Sequence, residues 1–270
     1  TPAAIAGRYL VKEAWRKALY RLIDVTTDRL VDRYIVVNGA SVGVLTDRHR
    51  VPASRITVIP NGIELERYDP ARAARGAWRA GPGIPNDAFL LGALGRLTWE
   101  KGFADLIRAF PPLAEKGVWL VIGGEGPQRG ELAALAQALD IEDRCLLAGF
   151  VEDVPGFLAD IDLFVLPSHI EGHPMVLLEA MAMARPIVAT AIPGVRDTIA
   201  DGVDGRLVPL GNGRALTTAI ATLCDDRAGA RRLGRNARKK VKLEYTVERM
   251  VRRTAALYDE LLAEKGLADS

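Results

Sequence analysis

The sequence is poor in the side chains that form disulfides and bind metals, with 2 cysteines and 3 histidines in 270 residues. Cys145 and Cys224 lie in apolar runs without metal-binding or redox spacing. We therefore expect them to be buried thiols in a reducing, cytoplasmic compartment. The histidines, His49, His169 and His173, are too scattered for a metal site. We expect no disulfide and no bound metal.

Long apolar runs and a large charge of one sign are also missing. No apolar run reaches about 18 residues, so no transmembrane helix is expected. The net charge is +2, which argues against nucleic acid as a partner. The chain shows no signal-peptide pattern and does not begin with Met, so we expect a fragment. Hydrophobic residues make up 49% of the chain, enough for one large domain or one domain plus part of another.

The first part of the chain predicts an amphipathic helix over residues 3–31, because apolar positions recur every three to four residues. Its other face is basic. Such a face is typical either of peripheral contact with anionic lipid, at the inner side of a membrane, or of the solvated side of a packed helix. The basic residues are Arg8, Lys12, Arg16, Lys17 and Arg21. Strands are predicted over 34–37 and 51–60, with a helix over 40–48 between them.

From residue 87 onward, apolar strands alternate with helices, which predicts a parallel sheet covered by helices on both faces. Ligands of such doubly wound sheets bind beyond the carboxyl ends of the strands. The predicted strands are 89–94, 118–122, 144–148, 162–166, 187–190 and 206–208. The predicted helices are 103–113, 128–139, 174–183, 195–200, 213–223, 227–242 and 246–265.

The fourth of these strands leads into the stretch SHIEGHPMVLLEAMAMARP. Glu171 lies in its polar turn, and Glu179 lies in a helix that Pro174 is expected to open as first residue. The N–H groups of Met175 and Val176 then point out of the helix start, where an anion would meet them and the positive end of the helix dipole. One short element thus offers two carboxylates and a pair of backbone donors. A diphosphate with a sugar on each side would use all three.

This spacing, S-x-x-E-G-x-P-x-V-L-L-E-A-M-A-x-x-x-P-I-V-A-T, resembles the retaining GT-B glycosyltransferases of family 4. The resemblance implies that Glu171 faces the donor sugar, that His173–Val176 hold the phosphates, and that Glu179 binds the ribose hydroxyls. It also implies a nucleoside-diphosphate sugar as donor substrate, with no metal or other cofactor. One departure is Ala184, which precedes Arg-Pro-Ile-Val at a turn where the family usually has Gly.

The first strand of the sheet is followed by G-R-L-T-W-E-K-G. Within that motif, the resemblance assigns Arg96 and Lys101 to the donor diphosphate. The chemistry agrees, because two fixed cations stabilise the negative charge that a leaving diphosphate gains. Arg96 can grip two oxygens at once, and Lys101 acts as a point charge. Taken alone, the two cations fit a surface salt bridge with Glu100 equally well.

The second and third strands end in glycine-containing turns, G-G-E-G-P and G-F-V-E-D-V. The resemblance implies that Gly124 and Gly126 let the backbone approach the ligand closely; a plain tight turn is the alternative. It also implies that the nucleobase is bound through the backbone at Val151, so UDP, GDP and ADP donors all remain open. The predicted helix 227–242 is strongly basic. We interpret its charges as a solvated face, with nucleic-acid binding as the less favoured alternative.

The P-N-G-I-E sequence at 60–64 resembles the family signature that ends the N-terminal domain. On this resemblance, residues 1–60 are the C-terminal remnant of an acceptor-binding Rossmann-like domain, whose larger part is missing. Residues 61–245 form the donor-nucleotide-binding Rossmann-like domain, and 246–270 form the crossover helix. The expected fold is α/β of GT-B type, a doubly wound parallel sheet plus the helical tail of the truncated first domain.

The resemblance therefore implies the donor-binding half of a hexosyltransferase, which transfers a sugar with retention to a glycan or lipid-linked acceptor in polysaccharide biosynthesis. One alternative is a nucleotide-sugar-binding module that is inactive without a separate N-terminal half. Another is a nucleotide-sugar epimerase, which shares the GT-B plan. The E-x7-E spacing together with G-R-L-x-x-E-K-G favours the transferase.

Overall fold

The structure, a computed structural model, describes residues 30–267. Its residues divide into two compact units: the first takes those up to Gly62 and those from Val247, and the second is Ile63–Thr246. The helix predicted over residues 3–31 lies almost entirely outside the described residues. The assignment of the two units to acceptor and donor domains stays a prediction.

The described elements are numbered in chain order. The strands are β1 (Tyr34–Val36), β2 (Ile56–Val58), β3 (Leu90–Leu94), β4 (Trp119–Gly123), β5 (Cys145–Gly149), β6 (Leu163–Leu166), β7 (Ile187–Thr190) and β8 (Arg206–Val208). The helices are α1 (Ala40–His49), α2 (Ala77–Ala80), α3 (Phe103–Ala109), α4 (Pro111–Ala114), α5 (Arg129–Ala138), α6 (Val154–Asp160), α7 (Met175–Ala182), α8 (Pro193–Arg196), α9 (Gly213–Asp225), α10 (Arg227–Glu244) and α11 (Val247–Glu264). No helix in this described range is both long and apolar enough to cross a membrane.

The first unit contains the parallel pair β1–β2 and the helices α1 and α11. The strand predicted over 51–60 is wrong in its first half, where a 3-10 turn, Ala53–Arg55, stands instead. Pro52 has no N–H for a strand ladder, and its carbonyl accepts the turn bond from the Arg55 N–H at 2.9 Å. Only the three residues after the turn pair with β1.

The second unit is built on a parallel sheet of six described strands in the order β5-β4-β3-β6-β7-β8. The predicted doubly wound, Rossmann-like sheet is confirmed, and each strand agrees with its predicted range to within one residue. All of β3 is buried, with Leu90 and Leu94 in the core on one face and Leu91 and Ala93 in the core on the other. Side chains alternate across a strand, so a strand covered on both faces must be apolar throughout.

The order of strands reverses between β3 and β6, since the chain builds outward from β3 to β5 and then returns to add β6 to β8. Such a switch point leaves a crevice between the loops that follow the two central strands. The motifs after β3 and after β6 therefore lie on neighbouring loops at the carboxyl edge of the sheet.

Several helices differ from their predicted ranges because of proline. The helix predicted over 103–113 is two helices, α3 and α4, which meet at Phe110 just before Pro111 and Pro112. The helix predicted over 195–200 is wrong, because α8 begins at Pro193 and ends at Arg196. The helix α6 was missed. Its N-cap is Asp153, whose side chain accepts from the Gly156 N–H at 3.0 Å.

The end of α7 carries the departure from the family pattern. Ala184 takes φ 53°, a left-handed value that favours glycine. The Ala184 and Arg185 N–H groups donate to the Met181 and Ala180 carbonyls at 3.0 and 2.9 Å, the bonds of a Schellman motif. The tight turn therefore forms with alanine. Helix α10 packs closely there, since a Cβ added to Gly234 would lie 2.2 Å from the Ala184 oxygen.

Both cysteines are free thiols. Cys145 is buried in β5 and Cys224 is half-buried near the end of α9. Burial raises the pKa of each thiol to about 12, so neither is ionised near neutral pH.

Candidate functional site

The loops after β3 and β6 contact each other at the switch point. The His169 N–H donates to the Glu100 carbonyl at 2.7 Å. Gly102 takes φ +66°, and a Cβ there would lie 2.1 Å from the Pro167 carbonyl oxygen. This contact holds the G-R-L-x-x-E-K-G motif against the start of the S-x-x-E motif. The His169 ring is tied to α3 by a 2.7 Å contact between its Nε2 and Asp105 Oδ2.

Glu171 is held at one of its two oxygens. Its Oε1 accepts from Lys101 Nζ at 2.7 Å and from Ser168 Oγ at 2.8 Å. The Glu171 side chain is 9% exposed, and Ser168 is fully buried, with its carbonyl accepting from the Thr190 hydroxyl. Because both bonds use Oε1, the oxygen Oε2 is left for other donors. The carboxylate is thus oriented before any ligand arrives.

The two predicted cations behave differently. Lys101 makes its ion pair with Glu171 rather than Glu100, so the simple surface-pair interpretation is wrong for Lys101. Arg96 is exposed, and its side chain has no hydrogen bond or ion pair to any part of the chain that the structure describes. A free guanidinium and a partly neutralised ammonium therefore lie on the same loop.

Helix α7 begins at Met175, and Pro174 precedes it with an extended ψ of 120°. Pro174 is therefore the N-cap residue and not the first helical residue, which corrects the prediction. Its carbonyl accepts from the Leu177 N–H at 3.1 Å, which closes the first turn. The N–H groups of Met175 and Val176 have no acceptor among residues 30–267, as expected for the first turn of a helix. These donors and the helix dipole make an anion site geometrically available.

His173 lies just before this helix start and is buried, with its ring centre 5.3 Å from that of Tyr245. Burial lowers the pKa of His173 to about 4, against a weaker opposing effect of Asp197. The imidazole is therefore neutral near pH 7 and offers no full positive charge to a phosphate.

Glu179 lies farther along α7 and is held by a residue that sequence analysis missed. The Tyr68 hydroxyl donates to Glu179 Oε1 at 2.9 Å. Burial raises the pKa of Glu179, and the Tyr68 hydrogen bond and the Arg67 charge oppose this rise. Burial together with the Glu179 charge also raises the pKa of Tyr68, so its hydroxyl stays protonated as a donor. No local signal joins the two residues, which are 111 positions apart.

The glycines after β4 serve a contact between loops. A Cβ at Gly124 would lie 1.9 Å from the Gly95 oxygen, and one at Gly126 would lie 2.4 Å from the Leu97 oxygen. The Leu97 N–H donates to the Glu125 carbonyl at 2.9 Å. The G-G-E-G-P turn therefore packs directly on the loop that carries Arg96 and Lys101. This packing is by itself a sufficient reason for glycine at positions 124 and 126.

The loop after β5 presents its two apolar residues in opposite ways. Val151 is buried in the core of the unit, and the neighbouring Phe150 is 78% exposed. The Val151 side chain is therefore committed to packing and leaves only its backbone for a ligand. This loop belongs to the outer strand β5, two strands away from β3.

The structure thus brings Arg96, Lys101, Glu171 and the start of α7 together on adjacent loops at the switch point. Glu179 lies one turn beyond that start, about 7–8 Å along the helix from Pro174 at 1.5 Å per residue. Val151 lies on the loop farther out in the sheet. A cavity of about 570 Å³ is elsewhere, between β8, α9 and α10, and contains none of these residues.

Comparison with known proteins agrees with this arrangement. The family described as "Glycosyl transferases group 1" matches residues 74–240, and "Glycosyltransferase Family 4" matches residues 4–67. The alpha-D-kanosaminyltransferase of Streptomyces kanamyceticus is 30% identical over 95% of this chain and 69% of its own length. The UDP-Gal:alpha-D-GlcNAc-diphosphoundecaprenol alpha-1,3-galactosyltransferase of Escherichia coli is 26% identical over 92% of this chain and 65% of its own length.

The fold is shared with solved structures as well. Sucrose-phosphate synthase from Thermosynechococcus elongatus superposes with a TM-score of 0.79 at 26% identity, covering 94% of this chain and 64% of that one. The chain spans about two thirds of the length of these relatives. The α/β fold of GT-B type is confirmed, and the chain belongs to the group 1 glycosyl transferases.

Proposed function

We propose that this chain is the donor-binding half of a retaining glycosyltransferase, which passes a sugar from a nucleoside diphosphate to a glycan or lipid-linked acceptor. The observation that carries the proposal is the cluster at the switch point. There a mostly buried, pre-oriented carboxylate, Glu171, lies beside two cations on the neighbouring loop and a helix start with open N–H groups. The similarity to a kanosaminyltransferase and to a galactosyltransferase that uses UDP-Gal supports the substrate class.

The charges suit the bond that must break. As the bond between the anomeric carbon and the diphosphate oxygen lengthens, negative charge grows on the phosphates and positive charge on the sugar ring. Arg96, Lys101 and the N–H groups of Met175 and Val176 stabilise the phosphates. Glu171 Oε2 stabilises the sugar.

Retention follows if the acceptor attacks from the face that the diphosphate leaves. The acceptor hydroxyl forms the new bond to the anomeric carbon, and its proton passes to the departing phosphate oxygen. The protein cations supply the charge in this scheme, so we propose that no metal ion is required.

Lys101 has a double role in this proposal. In the structure its ammonium is bound to Glu171 Oε1, and a diphosphate at the start of α7 would compete for it. An ammonium shared between the two anions would link the arrival of the diphosphate to the charge on Glu171. Glu179 would accept hydrogen bonds from the ribose hydroxyls, and the Tyr68 hydroxyl would hold its carboxylate in place.

The first test is thermal unfolding of the chain with UDP, GDP or ADP. A nucleotide at about 100 times its dissociation constant adds roughly 2.7 kcal/mol of stability, or on the order of 5–10 °C for a unit of this size. We expect one of the three to give this shift and Glu179→Ala to abolish it. Lys116→Ala is the matched control, because Lys116 is exposed and precedes β4 at the opposite edge of the sheet. No shift with any nucleotide would contradict the proposal.

The second test concerns transfer. We expect Arg96→Ala to reduce the rate of sugar transfer more than nucleotide affinity, because negative charge on the diphosphate is largest in the transition state. Equal losses of transfer rate and nucleotide affinity would contradict this role of Arg96. Since the chain spans about two thirds of its relatives, a binding module that needs a separate N-terminal half is the second candidate. Transfer that appears only when such a half is added would favour it.

A further inference from the structure

One face of helix α10 carries a row of exposed cations that form no ion pair with any residue the structure describes. Arg227, Arg231, Arg235 and Lys239 follow one another at intervals of four residues, and all are exposed. Each step of four turns the helix by only about 40°, so the four side chains form one continuous stripe. Within the described 30–267 range, none of the four makes an ion pair; Arg227 only lies over the ring of Phe89, at 5.1 Å.

Two less exposed cations of the same helix are paired in the usual way. Arg238 binds Asp69 at 3.2 Å, and Lys240 binds Asp204 at 3.2 Å. The cations on α10 thus fall into two groups. Those that face the rest of the unit have anionic partners, and those that face solvent do not.

The stripe is unfavourable for the isolated helix. Like charges four residues apart repel each other on a helix surface, and α10 contains a single acidic residue, Glu244, at its last position. A partner with a dense negative surface would relieve this repulsion. An anionic partner would therefore stabilise this stripe more than it would stabilise a helix face that carries charges of both signs.

An apolar residue continues the stripe and distinguishes between kinds of anionic partner. Leu243 comes four residues after Lys239 and is 71% exposed. An anionic lipid surface can bind the cations through its negative headgroups and Leu243 through the apolar interior beneath them. A nucleic-acid backbone would use the cations alone, and α10 has no aromatic side chain on which a base could stack.

Positive charge also extends beyond the helix. Arg232 lines the cavity of about 570 Å³ together with Arg214 of α9 and Arg206 of β8. Arg206 is paired with Asp201 at 3.5 Å, while Arg214 and Arg232 have no ion pair in the described part of the chain. Arg232 follows Arg231 directly in α10, so this cavity, which Asp226 also lines, adjoins the basic helix.

We propose that this surface, the α10 face, docks the protein onto an anionic phospholipid bilayer. The α10 face consists of Arg227, Arg231, Arg235, Lys239, Lys242 and Leu243. Each cation close to an anionic bilayer strengthens binding by about fivefold. The docking does not depend on residues 3–31 or on the nucleotide site. It would hold the protein at a surface where a lipid-linked acceptor is found.

The test is co-sedimentation of the full chain with vesicles of phosphatidylcholine alone or of phosphatidylcholine with phosphatidylglycerol. We expect binding only to the anionic vesicles, with affinity that falls as salt rises. The triple variant Arg231→Gln, Arg235→Gln, Lys239→Gln should lose about 100-fold in affinity. The control variant Arg48→Gln, Arg72→Gln, Arg252→Gln removes three exposed cations elsewhere and should bind as the native chain does. Unchanged binding of the first variant would overturn the proposal.

A second variant separates a lipid surface from nucleic acid. Leu243→Ser leaves every charge in place, so it should weaken binding to anionic vesicles and leave any binding to duplex DNA unchanged. Tighter binding to duplex DNA than to anionic vesicles at the same salt, with no effect of Leu243→Ser on either, would overturn the lipid assignment.

Discussion

The hydrogen bond between Tyr68 and Glu179 can be removed with little other change. Tyr68→Phe deletes only the hydroxyl, which donates to Glu179 Oε1 at 2.9 Å from a side chain that is 4% exposed. Glu179 then keeps its burial but loses a donor. Hydrogen bonds to charged groups contribute about 1.5–3 kcal/mol. We expect Tyr68→Phe to lower the free energy of unfolding by this amount at pH 8.

The effect should depend on pH, because the bond favours ionised Glu179. Burial raises the pKa of Glu179 in the folded protein, and the Tyr68 hydrogen bond limits that rise. A carboxyl with a raised folded-state pKa costs stability as pH rises from its unfolded value through its folded value. In Tyr68→Phe the pKa of Glu179 in the folded protein rises further than in the native chain. The full loss of unfolding free energy is therefore expected at pH values above the folded-state pKa of Glu179 in both proteins. Below both pKa values Glu179 is neutral, so Tyr68→Phe removes only a hydrogen bond to a neutral carboxyl, which contributes about 0.5–1.5 kcal/mol to stability.

Urea unfolding at pH 8 and at pH 4 measures the difference. Tyr258→Phe is the control, because Tyr258 is 60% exposed and its substitution should change little at either pH. If Tyr68→Phe were as stable as the native chain at pH 8, or lost more stability at pH 4 than at pH 8, this account of the pair would be refuted. The result does not depend on nucleotide binding, so it tests the structure itself.

Further predictions concern His173 and the glycines of two helices. Burial lowers the pKa of His173 from 6.5 to about 4, so its ring protons should titrate near pH 4 by NMR; a midpoint near 6.5 would contradict the burial. The unfolded chain takes up this proton first, so stability should fall as pH drops from 6.5 towards 4, by at most about 3.4 kcal/mol, and His173→Gln should remove that part of the loss. Gly234→Ala would place a Cβ 2.2 Å from the Ala184 oxygen and should cost about 1–3 kcal/mol in urea unfolding. Gly130→Ala in α5 meets nothing within 4 Å and should add about 0.5–1 kcal/mol; similar effects of the two alanines would contradict the packing of α10 on the end of α7.

The strands of the second unit could be predicted from the sequence because their burial on both faces leaves a local mark. Leu90–Leu94 is a continuous apolar run, and this local run is enough to predict the position of the strand. The bounds of the helices were harder to predict from the sequence. The break at Phe110 was signalled by Pro111 and Pro112, and the start of α6 by the cap at Asp153, but each signal is only one or two residues long.

The candidate site was predictable as a set of motifs but not as a set of contacts. The sequence indicates that Arg96, Lys101, Glu171 and Glu179 belong to one site, because strand ends of a parallel sheet meet at one edge. It does not show that Lys101 binds Glu171, 70 positions away, or that Tyr68 binds Glu179. Such pairs form by tertiary packing, and no local pattern of either partner records them.

The two ends of the second unit meet. The Ile63 N–H donates to the Tyr245 carbonyl at 2.8 Å, and Ile63 also forms a parallel bridge with Thr246. The two ends of the segment 63–246 therefore lie side by side. Segments whose ends adjoin can be inserted, exchanged or circularly permuted with little disturbance of their surroundings. In genetic terms, recombination at these adjoining ends would transfer the six-stranded sheet with its helices and loops to another host chain in a single event.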